Sequence, residues 1–276
     1  MKNLNMFCLS LEPNHYELIK NLGYLPVGLG DKKFNNNWIN DKSGINISNK
    51  NKNYGEYTYH YWFWKNYLNK IDDKWIGFCQ YRKFWTLKEH TIKDTNIRNL
   101  NTKVLKSIPH ELEKYETLLG EPMFVNKFRM MKFIKTASKL FIKKPNLIFK
   151  KNRNLNFHFD WMHGENNLKN AINLLDEENR NDFSKFVSKE VSFNPHNMFI
   201  CKSKKILANY YGTVFPWLDK CEKLFGFESL EGYGKVRIYG FLAERFMSYW
   251  FRKNTKFATI PITFYDIRND LNAGSF

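Results

Sequence analysis

Three stretches of this chain carry residue types able to do chemistry. In the first, Gly44, Asn46, Ser48, Lys50 and Asn51 form a loop of hydrogen-bonding side chains that leads into an aromatic helical pattern. Helix N-termini present free N–H groups to anions, and Lys50 adds a charge beside them. A capped, solvated loop has the same composition. In the second, Gln80, Tyr81, Arg82 and Lys83 directly follow the apolar run 75–79. An Arg there can hold a phosphate through two parallel N–H bonds, with Lys83 as a supporting point charge. In the third, residues 157–164, Asp160 and His163 stand among aromatics, with Trp161 suited to stacking on a sugar face. Either is a candidate proton acceptor; His163 also reads as a residue that merely begins a helix before Glu165.

The elements that must position these groups alternate in type. Residues 4–11 read as a buried strand, Pro13 starts a helix that Gly23 ends, and 25–28 return to a strand. A long polar loop, 31–53, follows. Tyr57, Tyr61, Trp64 and Leu68 recur at helical spacing, and 75–79 form the next buried strand. Further strands are expected at 117–125, 198–201 and 257–264, with helices at 165–175, 206–225 and 238–251. This order predicts an α/β fold: one domain over 1–276 with a mixed, mostly parallel sheet flanked by helices. Ligands of open α/β sheets bind beyond the carboxyl ends of the strands, where Tyr81 and Arg82 fall. Asp72 and Asp73 precede the same strand, belong to its opposite end, and read as a turn.

Composition narrows the classes. A chain of 276 residues with 43% hydrophobic and 17% aromatic residues builds a core and is no disordered tail. No apolar run approaches a membrane span, and 6–11 is too short for a signal-peptide core, so a cytoplasmic protein is expected. Cys8, Cys79, Cys201 and Cys221 stand apart without a CxxC pair, which argues for reduced, buried thiols. The net charge of +17 favours polyanions only weakly, because joint enrichment of Lys and Asn is what an AT-rich genome writes by default. With no helix-turn-helix, RNP or zinc pattern, nucleic acid is not an expected partner.

One segment differs from the rest. Residues 127–153 carry ten basic side chains and no acidic one. Met130, Phe133, Ile134, Ala137, Leu140 and Phe141 fall on one helical stripe away from the lysines. This basic amphipathic insertion, around 127–151, fits an anionic membrane surface at the inner face of the cytoplasmic membrane. A core-facing helix with a lysine face has the same pattern.

The ordered motifs Asp41-x-x-Gly44-x-Asn46-Ile47-Ser48-x-Lys50-Asn51, then Tyr54-x-Glu56-x-Thr58, then Ile76-Gly77-Phe78-x-x-Tyr81-Arg82-Lys83-Phe84 resemble a bacterial capsular and exopolysaccharide biosynthesis family long catalogued as a domain of unknown function. The segments 197–200, 215–218 and 240–245 extend the resemblance over nearly the whole chain. It implies a GT-A-like (Rossmann-type) glycosyltransferase that moves a sugar from a nucleotide-sugar, expected to be a UDP-sugar, to a hydroxyl of a polysaccharide or lipid-linked glycan. The alternatives are a sugar-phosphate transferase of similar fold and, behind it, a basic nucleic-acid-binding protein. The resemblance implies a donor site at Ser10, Asp41, Asn46, Ser48, Lys50, Asn51, Gln80, Tyr81, Arg82 and Lys83. It also marks Asn197, Met198 and Glu244; with the aromatic stretch 157–164, acceptor contacts are expected at Trp161, Asn197 and Met198, and a base among Glu244, Asp160 and His163. Glu244 also reads as a surface residue paired with a neighbouring Arg. The family usually has His where Gln80 stands, so that position binds rather than moves protons. No Asp-x-Asp motif follows the strand, so Mn or Mg is possible but no metal is required, and Arg82 and Lys83 would neutralise the leaving diphosphate.

Overall fold

The computed structural model describes residues 3–71, 75–89, 97–127, 149, 152–228 and 230–268. The chain forms two compact units: 1–121 with 196–212 and 251–276, and 122–195 with 213–250. The strands in chain order are β1 (Leu4–Ser10), β2 (Leu25–Gly28), β3 (Ile39–Asn40), β4 (Trp75–Gln80), β5 (Lys83–Trp85), β6 (Thr117–Gly120), β7 (Met123–Phe124), β8 (Ser192–Phe193), β9 (Phe199–Cys201), β10 (Phe257–Ile260) and β11 (Ile262–Phe264).

The first unit holds a nine-stranded sheet in the order β10-β6-β9-β4-β1-β2-β3, with β5 joining β4 and β11 joining β5. The sheet is mixed and mostly parallel, as the alternation of elements predicts. β1 runs parallel to β4 and β2, and β10 parallel to β6. β9 enters between β4 and β6 and is antiparallel to both. β1 and β4 are apolar along nearly their whole length because both faces are covered. Cys8 and Cys79 face each other across that pair, and all four cysteines are buried and free. Phe7 stacks on Phe78 at 5.7 Å, and Phe63 meets both edge-on. Full burial of one such ring contributes about 1.5–3 kcal/mol.

The aromatic spacing from Tyr57 becomes the helix Tyr57–Trp62, which widens into a π turn at Phe63–Tyr67. The polar loop 31–53 is less open than its composition suggests, since it contains β3 and two short helical turns, Ser48–Lys50 and Asn51–Tyr54. Pro261 divides the expected last strand into β10 and β11, because proline cannot donate to the ladder.

Among its described residues the second unit is helical apart from the two-stranded antiparallel pair β7–β8. Its helices include Leu155–His163, Asn167–Ile172 and Glu177–Lys189. Asp176 caps the last of these by accepting the Asn179 N–H at 3.0 Å. Phe183, Trp217, Phe246 and Tyr249 pack ring to ring in its core. Of the basic segment expected at 127–151, only Lys127 and Phe149 fall among the described residues; its apolar stripe lies outside them, as do Asp72 and Asp73. No helix among the described residues is long and apolar enough to cross a membrane.

Candidate functional site

The carboxyl ends of β1, β2 and β4 meet because the three strands are parallel and in register. The Tyr81 N–H donates to the Leu9 carbonyl at 3.0 Å, and the Leu29 N–H to the Ser10 carbonyl at 2.9 Å. Beyond β2 the chain turns at Gly30 with φ +77°, where a side chain would be strained. A Cβ there would sit 3.3 Å from the Leu11 side chain and 3.8 Å from Asn51 Oδ1, which places Asn51 beside the strand ends.

Ser10 is buried, and its hydroxyl lies 2.7 Å from His15 Nδ1. His15 packs on the Tyr81 ring at 5.1 Å, and burial lowers its imidazole below the usual range. Its Nε2 is buried without a hydrogen-bond partner. Two guanidinium groups also face Tyr81: Arg82 at 5.0 Å and Arg268 at 5.7 Å from the ring centroid. The segment that carries Arg268 is tied to the end of β4, where the Tyr265 N–H donates to the Arg82 carbonyl and the Ile267 N–H to the Tyr81 carbonyl. Asp266 pairs with Arg268 at 2.5 Å. Burial opposes the ionised Asp266 carboxyl, but the Arg268 hydrogen bonds and the charges of Arg268 and Arg82 hold it below the usual carboxylate range. Arg82 itself is exposed and forms no ion pair with a described residue.

A second chain of polar groups starts from the same strand end. Lys83 Nζ donates to Gln80 Oε1 at 3.1 Å, and Gln80 Nε2 donates to the His196 carbonyl at 3.0 Å and to Glu56 Oε1 at 3.4 Å. Asn197 Nδ2 donates to the same Glu56 oxygen at 3.0 Å. His196 and Asn197 arrive here because β9 is antiparallel to β4, so the residues preceding β9 reach the carboxyl end of β4. Both adopt left-handed backbone, with φ 80° and 53°, which costs a non-glycine residue free energy and is concentrated at functional sites. Burial, with Lys83 alongside, pushes the His196 imidazole down to about 3.

The loop 41–51 serves its own fold first. The Asn46 carboxamide accepts from Ser48 Oγ at 2.9 Å and donates to the Gly44 carbonyl, while Asn51 Nδ2 donates to the Gly55 carbonyl and Thr58 Oγ1. Lys50 is half-buried with Nζ 6.0 Å from the Tyr54 ring centroid. No long helix starts at Lys50, so the anion-binding terminus expected there is replaced by two short turns. Asp41 is fully buried and neither carboxyl oxygen has a hydrogen-bond partner. Burial raises its carboxyl; the Thr58 hydroxyl opposes that shift from nearby but donates to the Gly55 carbonyl at 3.1 Å. Met198 lies in the apolar core with Met6 and Ile200. Its role is therefore packing, which places Asn197 rather than itself at the strand end.

The remaining candidates lie in the second unit. Asn154 caps the helix Leu155–His163 by accepting the Phe157 N–H at 2.9 Å. On that helix Asp160 accepts the Asn166 N–H at 3.0 Å, Trp161 is half-buried, and His163 Nδ1 donates to the Gly234 carbonyl at 3.0 Å. Gly234 must be glycine, because a Cβ would lie 2.2 Å from the Met162 carbonyl oxygen. Glu244 pairs with Arg245 at 2.5 Å, with side-chain exposures of only 12% and 2%. The pairing with a neighbouring Arg is therefore present, but it is interior rather than a surface contact. Arg245 lies 3.6 Å from the Phe193 ring centroid and donates to His158 Nδ1 at 3.3 Å. Burial first, then the Arg245 charge, pushes both His158 and His163 down to about 3. At that value His163 is neutral but a weak proton acceptor.

A divalent metal fits this donor set poorly. Residues 80–83 supply an amide, a phenol and two cations, and the neighbouring carboxylates Asp266 and Glu56 are engaged by Arg268 and by the Gln80 and Asn197 amides, whereas Mg and Mn are held by carboxylates. No group of three or more His, Cys, Asp or Glu among the described residues is arranged to hold a metal.

The family described as "Domain of unknown function (DUF4422)" matches residues 11–255. The chain belongs to that family. Its fold is similar to the apo structure of the WbbM bifunctional glycosyltransferase, with a TM-score of 0.68 at 19% sequence identity. The similarity covers 95% of this chain and 45% of that one, so the chain spans about half the length of the protein it resembles. No curated protein matches the sequence. The family's matched range ends before Asp266 and Arg268, and no motif marks those residues; their place beside Tyr81 emerges only from the pairing of β11 with β5. Glu56 is a fixed residue of the second motif and His15 lies outside the motifs, but only the closure of the sheet assigns them partners.

Proposed function

We propose that the chain is a glycosyltransferase that moves a sugar from a nucleotide-sugar, in the first instance a UDP-sugar, to a hydroxyl of a surface polysaccharide or lipid-linked glycan. The observation that carries this reading is the convergence of Ser10, His15, Tyr81, Arg82 and Lys83 at the carboxyl ends of parallel β1 and β4. That is where open α/β sheets bind nucleotides. The nucleoside lies against Ser10, His15 and Tyr81. Arg82 and Lys83 hold the diphosphate and stabilise its charge as the bond to the sugar breaks, as fixed cations that need no reorganisation. A glycosyltransferase-like fold over 95% of the chain is consistent with this reading.

The attacking hydroxyl must lose a proton. We assign that proton to Asp160 in preference to Glu244, whose carboxylate is neutralised by Arg245, and to His163, whose basicity is low. The basic run 127–153 suits an anionic membrane surface on which a lipid-linked acceptor would be presented.

The experiment is a product assay on wild type, Asp160→Asn and Glu244→Gln with a panel of nucleotide-sugars and glycan acceptors. Wild type should release nucleoside diphosphate and extend the acceptor by a sugar without added phosphate. Asp160→Asn should lose about 10²–10⁴ in kcat. A product heavier by a phosphate would replace this reading with sugar-phosphate transfer.

A further inference from the structure

The polar chain at the end of β4 contains a carboxylate, Glu56, that no part of the donor diphosphate requires. Glu56 Oε1 accepts from Gln80 at 3.4 Å and from Asn197 at 3.0 Å, so two amides from separate elements fix its orientation. One of those amides sits on a left-handed residue. Beside this chain, β11 pairs Phe264 with Lys83, and Lys83 in turn pairs with Gln80. The Phe264 ring is 44% exposed, lies 5.9 Å from Lys83 Nζ, and is met edge-on by His196 at 5.2 Å. A carboxylate and amides that offer both acceptors and donors, next to an exposed aromatic face, have the composition of a site for a polyhydroxyl ring. Hydroxyls pair with the polar groups, and the C–H face of the ring covers the aromatic.

Resting on the transferase reading above, we infer that Glu56 binds hydroxyls of the transferred sugar, with Gln80 and Asn197 orienting it and Phe264 under the sugar ring. The link through Gln80 to Lys83 sets this subsite next to the diphosphate position, where the sugar of the donor must lie. Glu56 thereby determines which sugar is accepted, because a site built around a hydroxyl rejects a donor that lacks it or presents it in the other configuration.

The test is calorimetric titration of wild type, Glu56→Gln and Phe264→Ala with UDP and with UDP-glucose, UDP-galactose and UDP-N-acetylglucosamine. Wild type should bind at least one of the three at least tenfold more tightly than UDP. Both variants should bind UDP within about twofold of wild type and lose most of that advantage. Phe264→Ala, at an exposed position, keeps the test intact if Glu56→Gln folds poorly. The inference is overturned if no UDP-sugar exceeds UDP in wild type. It is also overturned if Phe264→Ala keeps the advantage, or if Glu56→Gln either keeps it or weakens UDP and UDP-sugar equally, which marks a purely structural network. Failure of wild type to bind UDP at all would instead remove the transferase reading on which the inference stands.

Discussion

The two units hold comparable sets of ionisable residues in opposite environments. At the strand ends of the first, Arg82 is exposed, Lys83 and Glu56 are half-buried, and the polar groups form an open chain that includes two left-handed residues. In the second, Arg245 and Glu244 form an interior pair roofed by Phe193. Charges of the first kind are available to a ligand. Those of the second are engaged with one another in the interior. Residue type therefore says little about role until burial is known.

The largest effect that tests this contrast is on stability. Arg245→Met keeps most of the volume but removes the interior charge partner of the Glu244 carboxylate, which should cost about 3–5 kcal/mol in denaturant unfolding. Arg82→Met, at an exposed position, should cost less than about 0.5 kcal/mol. Equal costs would abolish the distinction between the two regions. A smaller effect follows from the imidazoles. His158 and His163, like His60 and His196 in the first unit, have folded values near 3 against about 6.5 in the unfolded chain. Above pH 6.5 these groups are neutral in both states and destabilise nothing. As pH falls from 6.5 toward 3 the unfolded chain takes up protons that the folded one refuses, so stability declines across that window. At pH 5 the loss is on the order of 1–2 kcal/mol per imidazole. Unfolding midpoints measured from pH 7.5 to 5 should show this decline, and His163→Phe should reduce it by about a quarter, its share of the four imidazoles; a pH-independent midpoint would contradict the burial of these rings.

Much of the frame was legible in the sequence because it depends on local pattern. Apolar runs without charge marked β1, β4 and β9, and Pro13, Gly23 and Pro261 punctuate the elements around them. The turn 81–83 was visible because it follows such a run. What sequence order hides is which distant segments the sheet brings together. β9 inserts antiparallel beside β4 and carries Asn197 to Gln80, 116 residues separating Gln80 from His196. β11 returns Phe264, Asp266 and Arg268 to the same place from the far end of the chain. The Asn and Ser of the loop 41–51 looked like ligand groups, but small polar side chains readily bond their own backbone, and here they do. The Glu244–Arg245 pair looked superficial because adjacency along a helix gives no sign of depth.

The central claim is that the exposed cation after β4 holds a diphosphate. Its most direct measurement is calorimetric binding of uridine, UMP and UDP to wild type and to Arg82→Ala. Charge-assisted hydrogen bonds to phosphate contribute about 1.5–3 kcal/mol. Affinity should therefore rise from uridine to UDP in wild type, and Arg82→Ala should weaken UDP roughly 10- to 100-fold while leaving uridine unchanged. Binding of UDP that is no tighter than uridine, or that survives Arg82→Ala at full strength, would contradict the account.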